Sequence, residues 1–273
     1  MKIMNANQNT GIAEAMNTLS AFCGKRDVET LTKEALQEKY GFDQADVMAL
    51  FGGSIMCGAQ VLADAIKEGV AKHFLIVGGE GHTTQTLRDK VHARFPQIDT
   101  DRQPEARVFA AYIREKYGLT VDYLECESTN CGNNITYMLK LLEEHHISWN
   151  RIILSQDATM QHRMEAGLRK QLENPETYTI INFATYQARV ISTENGLAYS
   201  EDIDGMWDVD RFRTLLMGEI PRLSDDENGY GPKGKGFIAH VDIPENVRKA
   251  FAVLKEVYQD GVRQADAAYA SKE

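Results

Sequence analysis

His82 and Glu105 are the two residues of this chain best suited, by type and setting, to move a proton. His82 stands where an apolar run, Phe74-Leu75-Ile76-Val77, ends in Gly78-Gly79-Glu80-Gly81 and meets Thr83 and Thr84. At the start of a helix the dipole favours the neutral imidazole, which can donate one hydrogen bond or act as a base. A loop histidine also serves purely structural ends. Glu105 follows Pro104, a residue favoured in a first helical turn. A carboxylate there is stabilised by roughly 0.3–1 kcal/mol from the helix dipole alone. It becomes an acid–base group only where that helix start faces a crevice.

Around these two lie groups suited to hold a ligand. The glycine turn Gly78-Gly79-Glu80-Gly81 has a counterpart in Gly52-Gly53-Ser54, which also ends an apolar run. Glycine either makes a tight turn or lets backbone approach a ligand closely. Strand–loop–helix turns leave N–H groups and a helix N-terminus facing outward, a setting for an anion. Neither turn matches G-x-G-x-x-G, so a dinucleotide fingerprint is absent. A third segment reads Glu127-Ser128-Thr129-Asn130-Cys131-Gly132-Asn133-Asn134. Helix capping explains one or two of these residues. The rest, with Ser128, Asn130 and Asn134 foremost, are neutral donors and acceptors for hydroxyl and carboxylate groups. Cys131 is a nucleophile only beside a base, and the sequence shows none. A fourth segment runs from Ser155 through Gln156 and Asp157 to Arg163. Asp157 or Thr159 caps the next helix. Arg163, one turn in, is either a solvated surface cation or a bidentate partner for carboxylate or phosphate. Arg222 and Tyr230 flank a basic, glycine-rich segment able to close over a ligand.

Two motif matches fail on context. Gly229 to Lys235 fits G-x-x-x-x-G-K, but Gly236 replaces the Ser/Thr that would hold magnesium, and residues 237–242 look extended rather than helical. Residues 224–235 are similar to a calcium loop, but the first Asp is missing and Lys235 stands where the bidentate Glu belongs.

The bulk properties bound the function. The chain has 273 residues, 43% of them hydrophobic, and a formal charge of -10. That charge argues against nucleic acid, whose phosphates need a basic surface. No apolar run approaches the roughly 20 residues that span a bilayer, and a secretory apolar core is missing at the start. A cytoplasmic protein without a membrane segment is expected. Four cysteines, none in a C-x-x-C pair, point to reduced thiols. No Cys/His set has zinc-ligand spacing, so no metal is expected.

The elements that must position these residues alternate between strand and helix patterns. Helices are expected over 12–22 and 33–40, the second ended by Gly41. Strands are expected at 47–51, 73–77, 121–126, 151–155 and 178–183. Helices are expected near 58–68, 85–94, 104–117, 135–145 and 160–172. This order predicts an α/β Rossmann-like three-layer sandwich with a mostly parallel sheet. Right-handed crossovers bring every strand-end loop to one edge. Residues 1–42 form an N-terminal helical segment, 43–190 the α/β domain, and 191–273 a C-terminal, mainly helical appendage with helices at 208–217 and 245–259.

The strand-end segments, with Ser128-Thr129-Asn130-Cys131-Gly132 and Gln156-Asp157 followed by Thr159-Met160-Gln161, resemble the YdcF-like proteins of the SanA/ElyC/YdcF family of unknown function. Gly218-Glu219-Ile220-Pro221-Arg222-Leu223, Gly229-Tyr230-Gly231-Pro232 and Phe237-Ile238-Ala239-His240-Val241-Asp242 are similar to the C-terminal signature of that branch. The resemblance covers most of residues 45–250. It implies a Rossmann-like domain with an added helical part and S-adenosylmethionine as the ligand. One position departs: Asn133 stands where the family usually has Glu. Methyltransferases also carry an acid after the second strand, for which Glu80 is the loose counterpart.

The expected function is therefore binding of a small anionic or nucleoside-like metabolite at the strand carboxyl ends. Gly52, Gly53, Ser54, Gly78, Gly79, Gly81, His82, Ser128, Asn130, Asn134, Gln156, Asp157, Arg163 and Arg222 would contact it. Two other readings stay open: a hydrolase or transferase acting on a phosphorylated cell-envelope precursor through His82 or Glu105, and an interaction module using the C-terminal helices.

Overall fold

The structure, a computed structural model, describes residues 6–259. Strands β1 (Ala45–Phe51), β2 (Ala71–Val77), β3 (Tyr123–Glu125), β4 (Arg151–Ser155) and β5 (Thr179–Asn182) form one parallel sheet in the order β3-β2-β1-β4-β5. Between them run α3 (Cys57–Glu68), α4 (Thr84–Arg94), α5 (Glu105–Tyr117), α6 (Cys131–Glu144) and α7 (Gln161–Gln171). The chain thus adopts the Rossmann-like α/β sandwich.

Side-chain alternation along the strands sorts the helices into layers. Met48, Leu50, Ile76 and Ile153 face Leu62 of α3 and Phe109 and Tyr112 of α5. Val47, Ala49, Leu75 and Leu154 face Ile135 and Met138 of α6 and Leu168 of α7. All seven residues of β1 are buried, as a central parallel strand requires. The helix ends follow local rules. The Thr32 side chain accepts from Ala35 N to start α2 (Lys33–Tyr40), and Gly41, at φ 77°, ends it.

The two ends of the chain, expected as separate regions, share one core. Met16 and Leu19 of α1 (Ala6–Cys23) pack with Phe212 and Leu216 of α8 (Val209–Leu223) and Leu254 of α9 (Glu245–Val257). An antiparallel hairpin, β6 (Val190–Thr193) and β7 (Gly196–Tyr199), joins this layer through Val190. The hairpin has no counterpart in the sequence reading. Helix α8 runs past 217 to Leu223, and residues 237–242, read as extended, form no strand. The N-terminal segment also extends the sheet. Arg26 bridges Phe183 in antiparallel fashion, and Asp27 N donates to Asn182 O at 2.9 Å.

Candidate functional site

Strand order reverses between β1 and β4, the point at which ligands of open α/β sheets bind outside the strand carboxyl ends. The residues there are polar and enclosed. Ser54 (1% exposed), Ser155 (0%), Gln156 (1%) and Thr185 (5%) lie on the loops after β1, β4 and β5 or at the end of β4. Ser54 Oγ, Ser155 Oγ and Gln156 Nε2 have no hydrogen-bond partner in the protein. Thr185 Oγ1 likewise bonds no oxygen or nitrogen, and the Cys57 thiol lies beside it. These are four of the five such atoms among the described residues; the fifth, Arg213 Nε, is on α8. Their concentration is therefore a property of this edge.

The backbone brings the four together. Ser155 pairs in register with Leu50 near the end of β1, and Thr185 N donates to Gln156 O at 2.9 Å. A Cβ placed on Gly53 would lie 3.9 Å from Gln156 Oε1, and one on Gly58 3.3 Å from Thr185 Cγ2. Helix α3 starts in their midst with Met56 as N-cap and no side-chain capping bond. In its first turn, Gly58 N already donates to Ile55 O (3.3 Å) and Ala59 N to Met56 O (3.1 Å), so the helix start is closed largely by its own chain.

Asp157, in contrast, is fully engaged. Its Oδ1 accepts from Thr159 N (2.8 Å), Thr159 Oγ1 (2.7 Å) and Tyr186 OH (2.8 Å), and its Oδ2 from Trp207 Nε1 (3.3 Å). Burial and then the Asp157 charge push the Tyr186 phenol well above its usual range. The same two causes bring the Cys57 thiol to about 12, so it stays protonated and unreactive while these surroundings hold.

The β2–β3 side of the edge is organised around carboxylates. Glu105 begins α5 and is 7% exposed. Its Oε1 accepts from Thr84 Oγ1 at 2.8 Å and Thr83 Oγ1 at 3.4 Å, while Oε2 takes neither bond. The α5 start is docked on the chain itself: Glu105 N donates to Gly79 O and Ala106 N to Gly78 O, both at 2.8 Å. Burial pushes the Glu105 carboxyl up, opposed by the two threonine hydroxyls and the Arg88 cation. Glu125 accepts from Glu127 N (2.6 Å), Ser128 N (2.9 Å) and Ser128 Oγ (2.5 Å). Ser128 Oγ in turn accepts from Gly79 N at 3.1 Å.

This geometry revises several expected ligand contacts. A Cβ on Gly52 would sit 2.2 Å from Glu105 Oε2, one on Gly78 3.1 Å from Gly52 Cα, and one on Gly79 2.4 Å from Ser128 O. At these three positions the close approach glycine permits is to the protein's own chain. Gly53 and Gly81 meet nothing nearer than 3.9 Å. Ser128 is engaged by Glu125 and Gly79. Asn130 caps α6 by accepting from Asn133 N at 2.9 Å, and its Nδ2 donates to Asn133 Oδ1 at 2.8 Å. Asn133 thus helps close the α6 turn. Asn134 is half-buried one residue on, its N–H bonded to Asn130 O. His82 is exposed in the turn before α4.

Arg163 is also committed within the fold. Its Nε and Nη2 donate to the two Glu219 oxygens at 2.5 and 3.0 Å, with both side chains buried. The pair ties α7 to α8. Arg222 Nη1 donates to Gly218 O and lies 3.9 Å from Glu219 Oε1.

Residues absent from the expected set complete the edge. Lys90 of α4 donates to Ser54 O (2.9 Å) and Gly205 O (2.8 Å). Ser155 was discoverable as the polar end of an apolar run, Ile152-Ile153-Leu154. Lys90 and Trp207 carry no local sequence signal, because the elements they join are far apart in the chain. Two surface cavities flank this region. One of about 690 Å³ runs along α4 and the following loop, lined by Arg88, His92 and Asp99. The other, about 580 Å³, is lined by Tyr199, Ile203, Met206 and Trp207.

No known protein-family model matches the chain. Among the described residues, no group of three or more His, Cys, Asp or Glu is placed to hold a metal ion, and no helix is long and apolar enough to cross a membrane.

Proposed function

We propose that the chain binds a small anionic or nucleoside-like metabolite at the carboxyl edge of its sheet. Ser54, Ser155, Gln156 and Thr185 form the anchoring half of the site. The observation that carries this reading is the set of buried polar atoms Ser54 Oγ, Ser155 Oγ and Gln156 Nε2 without protein partners, beside Thr185 Oγ1 with only the Cys57 thiol at hand, where strand order reverses. Buried polar groups in folded proteins are hydrogen-bonded, so these call for a partner from outside the chain. Ordered water supplies that partner in many proteins, and a binding assay separates the two cases.

S-adenosylmethionine, the ligand implied by the resemblance to YdcF-like proteins, fits this edge in part. Its carboxylate would accept from Gln156 Nε2 and the serine and threonine hydroxyls. Its ribose diol calls for a carboxylate after β2, and Glu80 there already accepts from Arg88 Nη1 at 3.0 Å. The carboxylate is thus the better-supported contact. Membership of the YdcF-like branch and a cytoplasmic location belong to the same proposal.

Thermal unfolding with S-adenosylmethionine, nucleotides and sugar phosphates at millimolar concentration tests the reading. A ligand present at a hundred times its Kd adds about 2.7 kcal/mol of stability. A Gln156→Ala variant should lose most of that shift. No shift with any of these compounds would remove the metabolite site.

One observation favours a second reading, a hydrolase or transferase. Glu105 is a buried carboxyl pushed up in pKa, with Oε2 facing Gly52 and outside both threonine bonds. That is the setting of a general acid or base. If it acts so, Glu105→Gln lowers turnover by about 10²–10⁴-fold while ligand binding persists.

A further inference from the structure

The buried cluster at the switch point has a cover, the segment from residue 202 to Asp208 that leads from β7 into α8. Polar contacts hold it down. Arg94 pairs with Asp204 through both guanidinium nitrogens, Lys90 Nζ bridges Ser54 O and Gly205 O, and Trp207 Nε1 reaches Asp157 Oδ2. The segment therefore spans from the loop after β1 to the loop after β4, the two sides of the switch point. A Cβ on Gly205 would lie 3.0 Å from Met56 N, at the start of α3.

None of residues 201–208 is buried, whereas the helix that follows is anchored by Phe212 and Leu216, both 0% exposed. Only partly buried packing of Ile203, Met206 and Trp207 and a small number of surface polar bonds hold it, the make-up of a segment that opens locally, without global unfolding. Gly205, at φ 76°, has the backbone freedom of a hinge. Trp207 lines the cavity of about 580 Å³, and its bond to Asp157 ties it to the residue next in the chain to Gln156 of the buried cluster.

We infer that residues 202–208 are a gate whose displacement joins the outer cavity to the buried polar cluster, with Trp207 as its latch on Asp157. This inference rests on reading that cluster as a ligand site. It adds how the site is reached: a ligand that bonds buried groups needs a moving cover, as in many enzymes and binding proteins.

Cys57 is a reporter for the gate. It begins α3, is half-buried, and packs in the same cluster as Ile203, Met206 and Trp207 of the segment. Cys23, the last residue of α1 and 0% exposed in the same core, reports global opening. Site-resolved mass spectrometry of N-ethylmaleimide labelling, on the full chain at one pH, compares wild type with two variants. Trp207→Phe removes the bond to a charged acceptor and should raise Cys57 labelling about tenfold. Asp204→Asn weakens an exposed ion pair and should raise it about two- to fivefold. Cys23 should not change in either variant. Unchanged Cys57 labelling in Asp204→Asn, or a parallel rise at Cys23 in both variants, would overturn the gate. The assay contains no ligand, so a negative result leaves the binding proposal to its own thermal-shift test.

Discussion

The two halves of the sheet's carboxyl edge are built on opposite principles. On the β2–β3 side, buried charge is matched bond by bond: Glu125 takes three hydrogen bonds, and Glu105 takes two and is packed against glycines. On the β1–β4–β5 side, Asp157 is matched in the same way, but four buried neutral polar atoms have no partner in the chain. A carboxylate left unmatched in a core costs several kcal/mol, whereas an unmatched hydroxyl costs about 1–3 kcal/mol. Unsatisfied neutral groups are thus the form in which a fold can carry an open binding capacity. The satisfied half acts as scaffold, and the unsatisfied half is where a ligand is expected.

The largest test of this contrast removes a matched charge. Glu219→Ala leaves the buried Arg163 guanidinium without its bidentate partner and should lower stability by about 3–5 kcal/mol in urea unfolding. A loss under 1 kcal/mol would show that the charged pairs are not what holds α7 to α8. Next comes packing. Gly52→Ala drives a methyl toward Glu105 Oε2 and should cost about 1–3 kcal/mol, seen as a lower Tm. If a ligand rather than Glu105 required that glycine, the unliganded protein would tolerate the change.

The unsatisfied half should respond with the opposite sign. Ser155→Ala removes a buried hydroxyl that lacks a partner, so the unliganded protein should gain up to about 1 kcal/mol while the ligand-induced thermal shift shrinks. A loss of stability would mean that the hydroxyl is already satisfied by bound water. The smallest effect is in pH dependence. Native Glu105 holds its proton to a higher pH than the unfolded chain does. The native state therefore binds more protons between the ordinary carboxylate pKa and the raised one, and stability falls as pH rises through that interval. Glu105→Gln should flatten this slope in denaturation profiles collected from acid to neutral pH.

Much of the scaffold was legible from residue patterns. The strand Arg151–Ser155 and the helix Lys33–Tyr40 lie where periodicity and capping put them. The glycine turns were located correctly, but a close approach to ligand and a close approach to the protein's own chain read identically in sequence. Only the fold brought Glu105 to Gly52, 53 positions away. The carboxylate that Arg163 pairs with is hidden from the sequence for the same reason. Glu219 is on a helix 56 residues later, and no local pattern announces the pair.

By itself, the order of apolar runs, caps and breakers determined the parallel sheet and the single edge at which its loops gather. Those features follow from backbone hydrogen bonding and side-chain period, which act over a few residues. Which polar groups on that edge satisfy one another, and which are left over, was decided by the tertiary structure alone. A hydrogen bond or ion pair depends on distances of a few ångströms between atoms that the chain carries far apart, and those distances exist only once the layers have packed.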